Sequence, residues 1–386
     1  MTQPYDPTKP PVALEHDGTL VVVIEMSQAS WLVAAIVPGV ARRPLQKLKP
    51  DQEALLRLLT RWREEAAEAG KPVTRTALAF EAGRDGFWLA RWLRARGVEA
   101  HVIHANSVAV AREHKRAKTD RLDTILLLRA FLGWLRGEPA HCRMAAIPSL
   151  ADEDDKRPSR EREHLVGERT RLVNRLKAVL VRLGIRGFKP TLRKAAGRLD
   201  ALRTPDGEPI PPNTLSEMRR DLERLRLVRE QIAAIEAARL ERLARAPATG
   251  PDAMVRLLAR VHGLGIETAD MLVREVLARD LRDRRAVARY AGLTGTPDES
   301  GRRRREKGLS KAGNARVRRG MIQLAWRFLL FQKDSALAQW YRSRTESARG
   351  GVRKVLIVAL ARKLLVELWR LVVAGQVPRG VLLQPA

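Results

Sequence analysis

A run of β-branched and aliphatic residues, Thr19 to Ile24, limits the fold more than any other stretch of the chain. It ends in Glu25 and Met26, and a short apolar run with such an end predicts a buried strand. A second run, residues 31–37, follows a short polar turn. The two runs together predict a hairpin in the middle of a sheet.

Strand and helix patterns alternate as far as residue 136. Helically spaced apolar residues predict helices at 51–69, 85–96 and 119–136, and short apolar runs predict strands at 76–80 and 98–103. The resulting order is strand, strand, helix, strand, helix, strand, helix. This order predicts a mixed α/β domain, which we assign to residues 1–148.

Four acidic residues lie at element ends in this domain. Glu25 and Glu81 follow strands, and Asp120 and Asp123 lie three residues apart at a helix start, on one helix face. Carboxylates bind Mg²⁺ or Mn²⁺, and such ions can stabilise the attacking and leaving oxygens of a phosphodiester. The four acids therefore predict a metal site. The alternative is ordinary capping, with Thr119 or Asp120 starting the helix.

The composition indicates a nucleic-acid partner. The net charge is +29, from 73 Lys and Arg against 44 Asp and Glu, and most of the excess follows residue 145. The single cysteine, Cys142, excludes an internal disulfide or a cysteine-based zinc site and fits a reducing compartment. No apolar run reaches the roughly 18 residues of a membrane helix. We expect a cytoplasmic protein with no membrane partner.

Residues 149–250 predict a linker, at about 146–160, and then a coiled-coil helical hairpin. Apolar residues recur at spacings of three and four in two long stretches, 160–183 and 215–243. The stretches are expected to pair with each other or with another subunit, through Leu165, Leu172, Leu176, Val179 and Leu183 in the first and Leu222, Leu225, Val228, Ile232 and Ile235 in the second. Proline-rich residues 207–213 are expected at the hairpin tip.

Residues 251–386 predict a mostly α domain that begins with a helix-hairpin-helix. Gly263 and Gly265 separate two apolar helices, and glycines there permit backbone N–H groups to approach a phosphate. The alternative is an ordinary turn between helices, with His262 as part of that turn.

A basic segment follows, between Arg302 and Arg319. Ser310 is expected to cap the helix that runs from Arg316 to Leu330. Ser300 lies in what we expect to be a flexible, arginine-rich loop, where cations would stabilise the charge produced when a serine attacks a phosphodiester. The predicted nucleic-acid contacts are Lys118, Arg121, Gly263, Gly265, Arg302, Arg303, Arg304, Arg305, Lys307, Lys311 and Arg316.

The motifs taken in order resemble the transposases of insertion sequences one-ten and eleven-eleven, which are bridge-RNA-guided recombinases. The resemblance covers most of the chain. It is carried by the segments Phe80–Gly83, Lys118–Asp123, Val261–Gly265, Tyr290–Thr294, Glu299–Gly301 and Leu309–Gly313.

The resemblance implies a RuvC-like N-terminal domain of ribonuclease H fold, a coiled-coil middle and a C-terminal transposase domain. It assigns magnesium to the four acids, although Glu25 replaces the family's usual aspartate, and it assigns the nucleophile to Ser300 and not Ser310. One subunit's acids and another's serine would act on the same strand. A phosphoserine link and strand exchange would follow.

The resemblance also implies partners. These are double-stranded donor and target DNA, a structured guide RNA that selects both by base pairing, and further copies of the chain in a dimer or tetramer. Two alternatives stay open. The chain could be a RuvC-like Holliday-junction nuclease that cleaves with water, or a catalytically inactive nucleic-acid-binding protein.

Overall fold

The structure is a computed structural model that describes residues 10, 12–81, 83, 86–104, 107–108, 119–138, 141–300, 303–310, 312–346 and 350–385. For residues 297, 300, 303–307 and 350 it describes the backbone alone. The chain divides into two compact units. We call residues 1–151 with 280–282 the sheet unit, and residues 152–279 with 283–386 the helical unit.

The sheet unit holds one six-stranded mixed sheet, in the order β3-β2-β1-β4-β5-β6. Its elements are β1 (Thr19–Met26), β2 (Trp31–Ile36), β3 (Leu45–Leu48), α1 (Gln52–Glu68), β4 (Arg75–Glu81), α2 (Trp88–Arg94), β5 (Glu99–Ile103), α3 (Asp120–Leu135) and β6 (Met144–Ala145). A short helix, α4 (Leu150–Asp154), spans the boundary between the two units. Strands β1, β4 and β5 are parallel, and β2, β3 and β6 pair antiparallel to their neighbours.

Alternate residues of β1 serve two different cores, because successive side chains of a strand point to opposite faces. Leu20, Val22 and Ile24 pack with α1 and α2 on one face. Val21 and Val23 pack with α3 on the other face. Helices therefore cover both faces of the sheet, and the predicted mixed α/β architecture is confirmed.

Two edge strands were not predicted. In β3, Gln46 and Lys47 are exposed and the strand buries no residue, so it carries no apolar signal. Strand β6 has two residues only. The predicted linker at 146–160 is wrong in part, because α4 begins at Leu150 and the next helix at Arg157. Pro158 lies in that helix's first turn, where a missing N–H costs no hydrogen bond.

An ion-paired carboxylate at the start of β5 makes the sheet unit sensitive to acid. Burial raises the pKa of Glu99, but hydrogen bonds from His101 and Arg75 and their charges outweigh burial and lower it from 4.5 to about 2. Arg75 binds both carboxylate oxygens, at 2.6 and 2.8 Å. Because the folded pKa lies below the unfolded one, Glu99 stabilises the fold above its unfolded pKa, and this stability is lost as the pH falls toward 2.

Replacing Glu99 with glutamine is therefore expected to lower the free energy of unfolding at pH 7 by about 2 to 3 kcal/mol. The loss should shrink as the pH falls, since the wild-type carboxylate is itself protonated there. Urea titrations followed by tryptophan fluorescence between pH 7 and pH 2 measure both effects. Glu68→Gln, at an exposed position of α1, is the control. An equal loss at every pH would contradict the prediction.

The helical unit begins with two long helices that pack on each other. These are α5 (Arg157–Arg182) and α7 (Pro212–Arg245), with α6 (Ala195–Leu199) in the connection. All ten predicted apolar residues lie in or against the core between them, so those faces are used within one chain. The tip is broader than predicted, since it includes α6 and an antiparallel bridge from Arg203 to Pro209.

The rest of the helical unit is a helical bundle with one small hairpin of strands. Its elements are α8 (Pro251–Ala259), α9 (Ile266–Leu272), a π-helical turn (Val273–Leu277), α10 (Arg284–Tyr290), β7 (Gly295–Ser300), β8 (Arg303–Leu309), α11 (Ala315–Phe331), α12 (Ala336–Thr345) and α13 (Gly350–Ala374). This part is mostly helical, as predicted. None of the helices in the described ranges has the length and apolar character needed to cross a bilayer.

Candidate metal and nucleic-acid sites

Two of the predicted acids are brought together by strand register. Strands β1 and β4 run parallel with Ile24 opposite Phe80, so the next residues, Glu25 and Glu81, lie side by side at neighbouring strand ends. By alternation, both carboxylates belong to the face that α3 covers. Both side chains are half-buried. Two carboxylates are as many as Mg²⁺ commonly takes from a protein, with water and phosphate oxygens completing its shell.

The other two acids lie in the first turn of α3. Thr119 caps this helix, since its hydroxyl accepts a hydrogen bond from the Leu122 N–H at 3.3 Å. Asp120 is exposed and Asp123 half-buried. Both carboxylates are favoured there by the helix dipole, so the predicted helix start is confirmed. Arg121, a predicted nucleic-acid contact, is exposed beside them.

The predicted four-carboxylate cluster is not assembled in this structure. Among the described residues, no three Asp, Glu, His or Cys side chains lie close enough together to hold a metal ion. The four acids come from three elements, and strand register brings Glu25 next to Glu81. The four carboxylates are ligands that suit a hard cation. Within this set, Glu25 and Glu81 are the pair whose relative position the strand register defines.

The Gly-x-Gly turn between α8 and α9 has a packing explanation. Gly263 has φ +89°, and a Cβ there would lie 2.7 Å from Cβ of Phe331. The His262 ring meets the Phe331 ring edge-on at 5.1 Å, and the His262 N–H donates to the Leu382 carbonyl at 3.0 Å. Gly265 is exposed at the start of α9. These contacts require glycine at 263 whether or not a phosphate binds.

The basic segment forms a hairpin of strands, so the expectation of a flexible loop around Ser300 is wrong. Strand β7 pairs antiparallel with β8, with Ser300 opposite Arg303. Cross-strand pairing also places Glu299 opposite Arg304 and Asp298 opposite Arg305, and opposite charges at such positions favour pairing. Lys118, Arg302 and Lys311 lie outside the described residues, and for Ser300, Arg303, Arg304, Arg305 and Lys307 the backbone alone is described.

The two ends of this hairpin are joined at a rigid base. The N–H of Ser310 donates to the Thr294 carbonyl at 3.1 Å, and the N–H of Asn314 donates to the Tyr290 carbonyl at 2.6 Å. Gly313 has φ +89°, and a Cβ there would lie 2.5 Å from the Arg289 carbonyl oxygen. The Tyr290–Thr294 and Leu309–Gly313 segments, separate in sequence, are therefore one structural feature.

Two predictions about this region need correction. The cap of α11 is Asn314 and not Ser310, because the Asn314 carboxamide oxygen accepts from the N–H groups of Arg316 and Val317. Arg316 is not available as a phosphate contact. Its guanidinium is half-buried and pairs with Glu275 at 3.3 Å and with Glu163 at 2.7 Å.

Sequence reasoning missed a buried acid, Glu275, in the π-helical turn. Its side chain is 3% exposed. Arg160 of α5 donates to both its oxygens, at 2.9 and 3.1 Å, and Asn314 donates to it at 3.0 Å. Burial raises the pKa of Glu275, but its hydrogen bonds and the charges of Arg160 and Arg316 hold the pKa below its usual 4.5. An asparagine directly before a helix was the signal available for Asn314. Nothing local marks Glu275.

Comparisons with known proteins bear on both halves of the chain. Residues 42–185 match a DEDD transposase model, and residues 255–342 match the model described as the transposase family IS116/IS110/IS902. The chain is 40% identical over 385 residues to y4rJ of Sinorhizobium fredii, a protein named as a transposase, with 97% of each chain covered. It is 29% identical over 236 residues to a protein of Pseudomonas aeruginosa named as a family 20 transposase, covering 59% of this chain and 66% of the other.

The fold is a mixed sheet with acids at its strand ends, followed by a helical unit. The two family matches place this chain among the DNA transposases. The chain belongs to the IS116/IS110/IS902 family of transposases. Membership implies a DNA-processing enzyme of a mobile element that uses divalent metal in general.

Proposed function

We propose that this transposase catalyses RNA-guided cleavage and exchange of DNA strands through a phosphoserine intermediate at Ser300. Glu25, Glu81, Asp120 and Asp123 would hold Mg²⁺, or Mn²⁺ in its place. The observation that carries the proposal is the register of β1 and β4, which sets two carboxylates side by side at neighbouring strand ends. A bound cation would neutralise charge on a phosphodiester while the protein's own groups orient it.

The sheet and the first helices of the C-terminal bundle support the finer assignments of fold. A strand hairpin extended by parallel strands, with helices on both faces, is compatible with a RuvC-like domain of ribonuclease H fold. Helices α8 and α9 joined by the Gly263–Gly265 turn are compatible with a helix-hairpin-helix. Helices α5 and α7, which pack on each other within one chain, are compatible with a coiled-coil segment. The chain would act as a dimer or tetramer.

The hairpin of β7 and β8 supports the assignment of the serine. Ser300 ends β7 opposite Arg303, in a segment rich in arginine. Arginines near an attacked phosphodiester would stabilise the charge that develops on its oxygens. The Ser300 hydroxyl would form the new bond to phosphorus, the bond to the deoxyribose oxygen would break, and that oxygen would leave carrying a proton.

The partners proposed are donor and target DNA and a structured RNA transcribed from the element. Base pairing would supply sequence choice, so the protein needs mainly backbone and shape contacts. A net charge of +29 favours contacts to the phosphate backbone, and 4% aromatic residues leave few side chains that could stack on bases.

Replacing Ser300 with alanine is expected to abolish covalent protein–DNA adducts while leaving nucleic-acid binding unchanged. The assay incubates the protein with Mg²⁺, DNA of the element's ends and RNA transcribed from its flanks, and detects adducts that survive denaturing gels. Ser310→Ala is the matched control, since Ser310 lies in the same segment and its N–H bonds to Thr294. Adducts that persist in Ser300→Ala would sink the serine assignment.

Replacing Asp120 with asparagine is expected to lower the rate of adduct formation by on the order of a hundredfold, because a cation ligand is lost. Chelation of Mg²⁺ should also lower the rate of adduct formation by the wild-type protein, and addition of Mn²⁺ should restore that rate. Cleavage that needs Asp120 but not Ser300 would identify a water-using junction nuclease. Nucleic-acid binding without any cleavage, equal in wild type and variant, would identify a binding protein.

A further inference from the structure

The segment after the downstream strand of the Ser300 hairpin is also held by a side-chain contact outside the hairpin. Asn314, which begins α11 after β8, accepts two N–H groups of that helix through its carboxamide oxygen. Its carboxamide nitrogen donates to Glu275 at 3.0 Å. One side chain therefore joins the hairpin base to the π-helical turn.

Glu275 in turn is anchored from two other directions. Arg160, in the first turns of α5, binds both its oxygens, and Arg316 of α11 donates to it at 3.3 Å. Arg316 also donates to the Ser159 carbonyl at 2.6 Å. Because these groups are buried or half-buried, their charge-assisted hydrogen bonds are stronger than exposed ones. Three segments of the helical unit, α5, the π-helical turn and the start of α11, therefore meet at a single carboxylate.

The π-helical turn that contains Glu275 also contains Arg274, which belongs to a different group of ion pairs. Arg274, the preceding residue, pairs with Asp155, Asp252 and Asp270. π-Helical turns are rare and occur often at functional sites. Here the turn directs Arg274 and Glu275 to different partners, so that Glu275 is committed to the hairpin base.

We propose that Glu275 is a positioning residue that fixes the Ser300 hairpin through Asn314, Arg160 and Arg316. It touches no reacting atom. It holds the strand after Ser300 at a fixed position on the helical unit. This restricts the displacement of Ser300 from a bound phosphodiester. The importance of this for the reaction rests on the proposed function of Ser300.

Asn314→Asp tests this contact with little other change. The aspartate can still cap α11, since its carboxylate accepts the same two N–H groups. It can no longer donate to Glu275 and instead repels it. The double variant Glu275→Gln/Asn314→Asp reverses the hydrogen bond, because the glutamine amide donates to the aspartate, and it keeps one negative charge on the pair. It gives up one of the two hydrogen bonds from Arg160, because the same oxygen of Glu275 accepts from Asn314 and from Arg160.

The first readout is the mobility of the hairpin, which does not depend on catalysis. A nitroxide label on Glu299→Cys reports it by electron paramagnetic resonance. The label is selective because Cys142, the chain's single cysteine, is 1% exposed and burial raises the pKa of its thiol to about 12. We expect greater mobility in Asn314→Asp and recovery in the double variant.

The second readout is the rate of adduct formation in the unlabelled proteins. We expect a loss on the order of ten- to a hundredfold in Asn314→Asp, since small displacements of a reacting group have effects of this size. The double variant should recover part of that loss. The matched control is Asp221→Asn, which removes a 2% exposed acid paired with Arg175 and Arg224 in the α5–α7 hairpin. It should change stability and leave label mobility unchanged.

The outcomes separate this proposal from the proposed function. If wild-type protein forms no Ser300-dependent adduct, the serine assignment falls, while label mobility still decides whether Glu275 positions the hairpin. Equal mobility in wild type and Asn314→Asp would overturn the positioning role. If Asn314→Asp does not fold, Arg160→Gln serves instead. It leaves the cap untouched and should also raise mobility.

Discussion

Replacing Gly313 with alanine is expected to destabilise the helical unit by about 3 kcal/mol or more. Two costs combine. The backbone has φ +89°, which L side chains rarely adopt, and a Cβ there would lie 2.5 to 2.7 Å from Arg289 O, Tyr290 O and Gly292 N. All three are backbone atoms, so no side-chain rotation can relieve the overlap. Tyr290 and Asn314 would have to separate.

Thermal unfolding followed by circular dichroism measures this effect. Gly197→Ala is the matched control, because Gly197 lies inside α6 and a Cβ there meets no atom within 4 Å. Alanine is a better helix former than glycine, so the control should be neutral or slightly stabilising. Equal melting temperatures for the two variants would show that the hairpin base yields more easily than its geometry indicates.

The second large effect is expected for Asp270→Ala, at about 3 to 5 kcal/mol. The Asp270 side chain is 2% exposed and lies 2.8 Å from Arg242 and 3.3 Å from Arg239. Arg239 is itself 1% exposed at its side chain. Removing the acid leaves a buried guanidinium with Glu267 as its remaining ion-pair partner among the described residues. A buried charge with one partner lost is costly because water cannot replace that partner.

Urea denaturation is the appropriate measurement, since guanidinium salts would screen the ion pairs. Asp200→Ala is the control. Asp200 pairs with Arg219 at 2.7 Å, but both side chains are 54% exposed, so the change should stay within about 1 kcal/mol. If Asp270→Ala cost no more than Asp200→Ala, the buried network would have no net stabilising role.

The central elements could be predicted because their signals are local. Strand β1 buries its first six residues, and the apolar run that predicts it is itself what packs on both helical layers. Helices α5 and α7 were equally visible, since one apolar stripe on each fits the other. In both cases the residues that form the core also produce the pattern.

The hairpin around Ser300 could not be predicted for the opposite reason. Strand β7, Gly-Thr-Pro-Asp-Glu-Ser, has no apolar alternation, and the pairing register shifts between Gly295 and Pro297. Its position depends on the hydrogen bonds of its base, from Ser310 to Thr294 and from Asn314 to Tyr290, which no local pattern marks. Arg316 was misjudged on the same ground, because its partners Ser159 and Glu163 lie more than 150 residues away in sequence. A run of basic residues in the sequence indicates positive charge, but it does not show which of those residues form ion pairs within the fold.

The ion pairs of the helical unit also bear on how this protein responds to salt. Each phosphate that a protein neutralises releases counterions, so the slope of log K against log salt counts phosphate contacts. Arg160, Arg239, Arg274 and Arg316 are among the 73 Lys and Arg residues of the chain, but internal carboxylates hold them. The slope measured for DNA should therefore be shallower than the number of basic residues suggests. These arginines stabilise the fold of the helical unit. Only the Lys and Arg residues outside such ion pairs contribute to the salt dependence of DNA binding.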